Sequence, residues 1–227
     1  MATAESLPEP GGRLPIGGSA VQARLAEAAI QLFYQQGALA TTVRDITAAC
    51  GMTPGALYNH FTSKDHLLYL LVRDIHQQAN AQMAAALAAV GDEPAAQLVA
   101  TVRYLVSHTA RYKKRSRVAN REFTILTGPR RLEVTGLRRQ LRDRFARIVL
   151  AGAQEGTFSL VGGNHMVAAT LTAATISTMC VRISEWTLEN YPLSLSELED
   201  HYAQLALRMV GVSDSDSRGH LTDMAPD

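Results

Sequence analysis

Along the run Thr53–Lys64, TPGALYNHFTSK, the residues Gly55, Ala56, Tyr58, Asn59 and His60 share the outward side of a short helical pattern whose inward anchors are Leu57 and Phe61, four apart. These outward side chains are small or end in hydrogen-bonding groups, and none is acidic. That is the chemistry of nucleic-acid recognition. Small residues let a helix end sink into a major groove, while amide and hydroxyl tips reach bases and phosphates. Arg44, one turn into the preceding helical pattern, is a long cation whose planar fork suits a guanine edge; the competing reading leaves it as a solvated helix residue. Covalent chemistry has weaker candidates in Ser107 or Ser184 with His108 or His165. No Ser stands in a Gly-x-Ser-x-Gly elbow, no strand–turn–helix pattern exposes a nucleophile, and no His-Glu-x-x-His or paired-His spacing offers a metal. The expectation is no catalytic residue, no metal and no cofactor.

Presenting such a face takes two helices at a fixed angle, and the stretch Thr42–Lys64 reads as a helix-turn-helix. Thr42 is placed to cap a first helix with Ile46, Ala49 and Cys50 on its apolar stripe, and Gly51 supplies a left-handed stop. Thr53 then stands as N-cap of the second helix, with Pro54 at its first position. Upstream, Ser19 caps a helix whose Leu25, Ala28, Ala29, Leu32 and Phe33 form one buried face, and Gly37 ends it. Downstream, Ser63 caps a long helix that enters with Lys64 and runs through Leu67, Leu71, Ile75 and Ala79 towards Val90. Longer than DNA binding requires, this rod would join two domains.

The residues Thr42, Asp45, Ile46, Gly51, Leu57, Tyr58, His60, Phe61 and Lys64 stand at the spacing of a known pattern, and the stretch resembles the tetracycline-repressor-type (TetR/AcrR) regulators. The resemblance implies that Tyr58, His60 and Lys64 clamp phosphates, with a further phosphate contact from Thr42 at the cap. Asn59 varies with the operator in that family, so a base contact and a water-facing role both stand. The DNA-binding set expected here is Thr42, Arg44, Thr53, Pro54, Gly55, Ala56, Tyr58, Asn59, His60 and Lys64. The basic residue often found near the start of the family's first helix is missing before Arg24.

The remainder reads as helix throughout. In 227 residues, 47% are hydrophobic and 6% aromatic, and long periodic runs replace the Val/Ile/Thr alternation of strands. The expected architecture is all-α, about nine helices: a flexible arm over 1–18, a DNA-binding domain over 19–78, a ligand-binding and dimerisation domain over 79–213, and a disordered tail over 214–227. Arg13 is the arm's only cation, so a disordered tail suits it better than a minor-groove arm. Gly91 breaks the long rod; Asp92 and Pro94 start a helix with Leu98, Val102 and Leu105 inward; a break near Gly128 and Pro129 precedes a helix from about Arg131 to Ala153, with Val134, Leu137, Leu141, Phe145 and Ile148 on one side. Asn164 caps a helix to about Trp186, and Ser194 with Glu197 makes a capping box for the last. Cys50 and Cys180 lack metal or disulfide spacing and read as buried thiols. An acidic, Pro- and Gly-bearing start does not suit a signal peptide, and Met166–Val181 is short and Thr/Ser-rich for a membrane span, so a cytoplasmic protein is expected.

The formal net charge is only +1, yet Arg and Lys crowd Arg111–Arg147, outside the expected DNA-binding domain. The stretch Ala119-Asn120-Arg121-Glu122, this Arg-rich region and Leu195-Ser196-Glu197-Leu198 resemble the acyl-CoA-responsive branch of the family. The helix from Asn164 carries Ala168, Ala169, Ala173, Ala174 and Ser177, small enough for a second backbone to approach. Paired with the last helix, it would make a homodimer through the last two helices, matching a palindromic double-stranded operator; intramolecular packing is the alternative. Arg182 and Trp186, four apart on a helix, would share a face able to hold an anionic amphiphile such as an acyl-CoA, or else be a solvated cation and a core ring. The resulting expectation is a ligand-responsive repressor. Its rivals are a helix-turn-helix protein whose second domain binds another protein, and, more remotely, a hydrolase.

Overall fold

The computed structural model describes Ile16, residues 18–185 and residues 193–213. Among these, the regular elements are helical: α1 (Ala20–Gln36), α2 (Val43–Ala49), α3 (Pro54–Tyr58), α4 (Lys64–Ala88), α5 (Pro94–Arg111), α6 (Lys113–Glu122), α7 (Gly128–Glu155), α8 (His165–Val181) and α9 (Leu195–Met209), with 3₁₀ turns at Phe123–Ile125 and Arg182–Glu185. The all-α expectation is met. Two compact units are formed, one from the residues up to Ala79 together with Tyr112–Arg138, the other from Asn80–Arg111 with the residues from Arg139 onward. Helices α4 and α7 each contribute to both.

Local chemistry sets the helix ends. Ser19, Thr42 and Ser194 each close a capping box with the residue three positions on, because a side-chain oxygen satisfies an orphan N–H while the partner returns the bond. Asn164 caps α8 by accepting from the Val167 N–H at 3.2 Å. At α5 the cap comes from Glu93 rather than Asp92, its carboxylate accepting from the Ala95 N–H at 2.9 Å. Helix α7 begins at Gly128, so the break falls just before Gly128 and Pro129; a proline in a first turn forfeits no helical hydrogen bond.

In the first unit Leu25, Ile30, Phe33, Ile46, Leu57, Phe61, Leu67 and Leu71 are buried with Val118, Leu126 and Val134. The buried stripe of α1 is Leu25, Ala26, Ala29, Ile30 and Phe33, while Ala28 and Leu32 are only half-buried. The stripe is rotated from the expected one because α1 packs on α6 as well as α2. In α2 the buried pair is Ile46 and Thr47; Ala49 is exposed, on the side of the helix turned from this core.

In the second unit α5 packs on α8 and α9, burying Leu98, Val99, Val102 and Val106 with Ala169, Ala173 and Ile176 and with Tyr202, Ala203, Ala206 and Leu207. Arg103 donates to Asp200 at 2.6 Å between α5 and α9. Cys180 is buried, and that burial pushes its thiol up to about 12, whereas Cys50 is only half-buried. The segment His165–Glu185 is long and apolar enough to cross a membrane by length and composition. Its inner side packs in this core, and its outer side exposes Val167, Thr170, Leu171, Thr175 and Thr178.

Candidate nucleic-acid interface

The turn between α2 and α3 is built from backbone. The Met52 N–H reaches the Thr47 carbonyl (2.8 Å) and the Gly51 N–H reaches Ala48 (2.9 Å), the paired bonds of a Schellman ending, and Gly51 takes the left-handed φ of 66° that the motif requires. Helix α3 begins without a side-chain cap. Thr53 occupies the N-cap position in extended conformation, but its hydroxyl makes no capping bond; the Ala56 N–H bonds the Thr53 carbonyl instead (3.0 Å). With Pro54 lacking an N–H, this five-residue helix has few orphan donors to satisfy.

One side of this unit is open. Thr42, Arg44, Thr53, Pro54, Gly55 and Asn59 are exposed, Tyr58 is 58% exposed, and Ala56 and His60 are half-buried. Leu57 and Phe61 are buried beneath, so the two anchors separate the outward face from the core. Thr42 and Asp45 exchange bonds, the Thr42 hydroxyl accepting from the Asp45 N–H (3.1 Å) and the Asp45 carboxylate from the Thr42 N–H (2.8 Å). The Thr42 backbone N–H, then its hydroxyl, hold the Asp45 carboxyl below the usual range, with the Arg44 charge adding to both.

Lys64 is placed differently from a free phosphate clamp. Its ammonium donates to the carbonyl oxygens of Ala38 and Thr41, the latter at 2.7 Å, and so ties α4 to the loop before α2. An ammonium has three donors, which leaves one for a phosphate. Ser63 caps α4 by accepting from the His66 N–H (3.0 Å), and His66 Nδ1 accepts from the Thr62 N–H (3.2 Å), which requires a neutral imidazole. Burial first, then Arg130 and Arg73, lowers the His66 pKa.

Sequence reasoning missed Arg24. Its guanidinium donates to the Cys50 carbonyl at 2.8 Å, and the Cys50 thiol donates back to the Arg24 carbonyl at 3.5 Å, bracing α1 against the end of α2. Nothing in the spacing of two residues 26 apart signals this. The basic residues Lys113, Lys114, Arg115, Arg117, Arg121, Arg130, Arg131 and Arg138 fall in the same compact unit as the helix-turn-helix. Many are engaged there: Arg115 pairs with Glu27 (3.3 Å), Lys114 donates to Gln31 (2.8 Å), and Arg117, Arg130 and Arg138 lie over the rings of Tyr34, Tyr69 and Phe123.

Arg182 is exposed on the 3₁₀ turn that follows α8. The α-helix stops at Val181, so the one-turn spacing expected of Arg182 and Trp186 on a continuous α-helix does not apply, and Trp186 lies outside the described residues. Ile183 and Ser184 turn inward here, and the Ser184 hydroxyl bonds the Val181 carbonyl at 2.9 Å.

Residues 25–69 match the family model for bacterial regulatory proteins of the tetR family, and residues 91–210 match the tetracyclin repressor-like C-terminal domain. The chain belongs to the TetR family. Among TetR relatives, the HTH-type transcriptional repressor KstR2 of Rhodococcus jostii (strain RHA1) is 29% identical over 150 residues, 63% of this chain and 70% of that one. A crystal structure of a tetR-family bacterial regulatory protein from Rhodococcus RHA1 superposes with a TM-score of 0.78 at 31% identity, covering 86% of this chain and all of the other. AibR in complex with isovaleryl coenzyme A and operator DNA has the same fold, with a TM-score of 0.70 at 21% identity over 83% of this chain and 97% of AibR. This TetR chain is thus of a family of transcriptional regulators that bind DNA through a helix-turn-helix.

Proposed function

We propose that this chain is a ligand-responsive repressor, a dimer that clamps two half-sites of a palindromic operator and lets go when a small molecule binds its second domain. The observation that carries this reading is the open face of Arg44, Tyr58 and Asn59 above buried Leu57 and Phe61 in a chain of the TetR family. Arg44 reads a guanine edge, Tyr58, His60 and Thr42 hold phosphates, and Lys64 adds its remaining donor. The outer side of α8, with Val167, Leu171 and Thr175 exposed, supports pairing of two copies through α8 and α9. An acyl-CoA is the effector class favoured, since AibR, of like fold, takes isovaleryl coenzyme A. Arg182, on the surface at the end of α8, would meet the anionic part of such a ligand, and Trp186, four residues on in the sequence, is the second ligand residue proposed. Reversing a hundredfold bias towards the DNA-fitting state takes about 5 kcal/mol of differential ligand affinity. The work of such a protein lies in the cytoplasm.

Selection of bound duplexes from random DNA, repeated with a panel of acyl-CoAs, tests both ends of this reading. A palindromic consensus that one acyl-CoA abolishes is the expected outcome. A consensus indifferent to every acyl-CoA removes the effector class, and no consensus at all removes the operator. With an effector in hand, the Arg182→Met, Trp186→Leu double variant should bind operator and fail to release it; release at the parent's ligand concentration would take the pair out of the ligand site.

A further inference from the structure

The loop between α1 and α2, residues 37–41, is held on both sides of Ala38. Ala38, 2% exposed, donates its N–H to Glu122 at the end of α6 (3.1 Å), and its carbonyl accepts from Lys64 at the start of α4. The second carboxylate oxygen of Glu122 stands 3.8 Å from where a Cβ on Gly37 would be, so the whole carboxylate faces this loop. Thr41 closes the loop by donating its hydroxyl to the Gly37 carbonyl (2.8 Å). The next residue is Thr42, the cap of α2, and the Schellman turn then fixes α3 on α2. Ala38 thus lies on the segment that leads directly into the capped start of α2.

Glu122 ends the Ala119-Asn120-Arg121-Glu122 stretch that the sequence singled out. Asn120 in that stretch accepts from Arg138 of α7 (2.8 Å), and the same guanidinium lies 4.0 Å from the Phe123 ring centroid. One short segment thus joins α6 to α7 through Asn120 and α6 to the helix-turn-helix through Glu122. Both ends of 112–138 continue into residues of the other compact unit, by way of α5 on one side and along α7 itself on the other.

We infer that Glu122 is a positioning residue for operator recognition, which holds the Ala38 peptide to the end of α6 and so lets the placement of α6 and α7 set that of α2 and α3. The inference rests on DNA binding by the helix-turn-helix. A carboxylate bonded to a buried N–H is a strong, directional tie, and its loss leaves that donor unsatisfied. Base readout needs its side chains placed to within about half an ångström, whereas non-specific binding follows the number of cations near phosphates, which Glu122 does not change.

The test measures anisotropy on the duplex recovered by selection and on a scrambled duplex of equal length, for the parent, Glu122→Ala and Glu122→Gln. The alanine variant should bind the selected duplex about tenfold more weakly while staying within about twofold of the parent on the scrambled one. Glutamine, whose amide oxygen still accepts from Ala38, should return to within about threefold of the parent. An alanine variant that keeps the parent's ratio between the duplexes, or a glutamine variant as impaired as alanine, overturns the positioning role. Should the alanine variant fail to fold, Glu122→Asp keeps the charge and withdraws the carboxylate by one methylene; it must show the same selective loss, and parental discrimination would overturn the role. A parent that selects no duplex would instead count against the proposed function.

Discussion

In the unit that carries the helix-turn-helix, many joints between helices are made by long polar side chains that end on backbone: Arg24 on the Cys50 carbonyl, Lys64 on Ala38 and Thr41, Glu122 on the Ala38 N–H. Among α5, α8 and α9 the joints are mostly apolar side chain on apolar side chain, from Leu98, Val102 and Ile176 to Ala203 and Leu207, with Arg103–Asp200 as a polar tie. Directional bonds fix a geometry; apolar contact fixes a volume. The first kind suits a surface that must match a rigid duplex, and the second suits an interior that can be repacked at modest cost.

The sharpest way to break this contrast is to cut the apolar core. Phe145→Ala, at a side chain 1% exposed, should lower stability by about 3–5 kcal/mol, read as a fall in Tm or in the denaturant midpoint. A loss below about 1 kcal/mol would mean that the second unit does not depend on its packing. On the polar side, Lys64→Ala strands the carbonyls of buried Ala38 and Thr41 and should cost about 1–3 kcal/mol of stability along with operator affinity. Lost DNA binding with unchanged Tm would return Lys64 to a phosphate role alone. Arg44→Ala should leave Tm in place and cost about 1–3 kcal/mol of discrimination at one base pair per half-site, measured against a panel of single-base operator variants. A uniform loss across that panel would make Arg44 a phosphate contact.

The smallest effect concerns pH. Because the folded state lowers the His66 pKa, the unfolded chain binds its proton first, so this contribution to stability is complete above the ordinary value of 6.5 and is lost as pH falls through the lower folded value. Protonation also sets an N–H of His66 against the Thr62 N–H that it now accepts. Melting the parent and His66→Asn between pH 7.5 and 5 should show a slightly steeper decline in the parent; equal slopes would show that the ring's charge is immaterial to the α4 start.

How legible the fold was follows the same division. Caps at Ser19, Thr42, Asn164 and Ser194 and glycine stops at Gly37, Gly51 and Gly91 are local chemistry, and the sequence reading placed them. The rotation of α1, with Ala26 and Ile30 inward in place of Ala28 and Leu32, depends on a neighbour some ninety residues away and left no periodic signal of its own. For the same reason Arg24, Asn120 and Glu122 could be noticed but not assigned partners. The α8 boundary was overextended because an apolar run through Ile183 continues the helical pattern, while the switch to a 3₁₀ turn follows from which residues turn inward. The outward face above Leu57 and Phe61 was the most legible part of the site, since two anchors four apart in a short helix leave little choice of side.

Helix α3 has one buried side chain among its five residues, Leu57, and its turn is secured by backbone bonds and Gly51. Its recognition surface is therefore almost uncoupled from folding. Gly55 and Asn59 are exposed, and exposed changes stay within about 0.5 kcal/mol of neutral, so under the proposed function new operator preferences can arise one residue at a time without an intermediate that fails to fold. Duplicated copies of such a gene can drift apart in the sites they read while remaining interchangeable as structures.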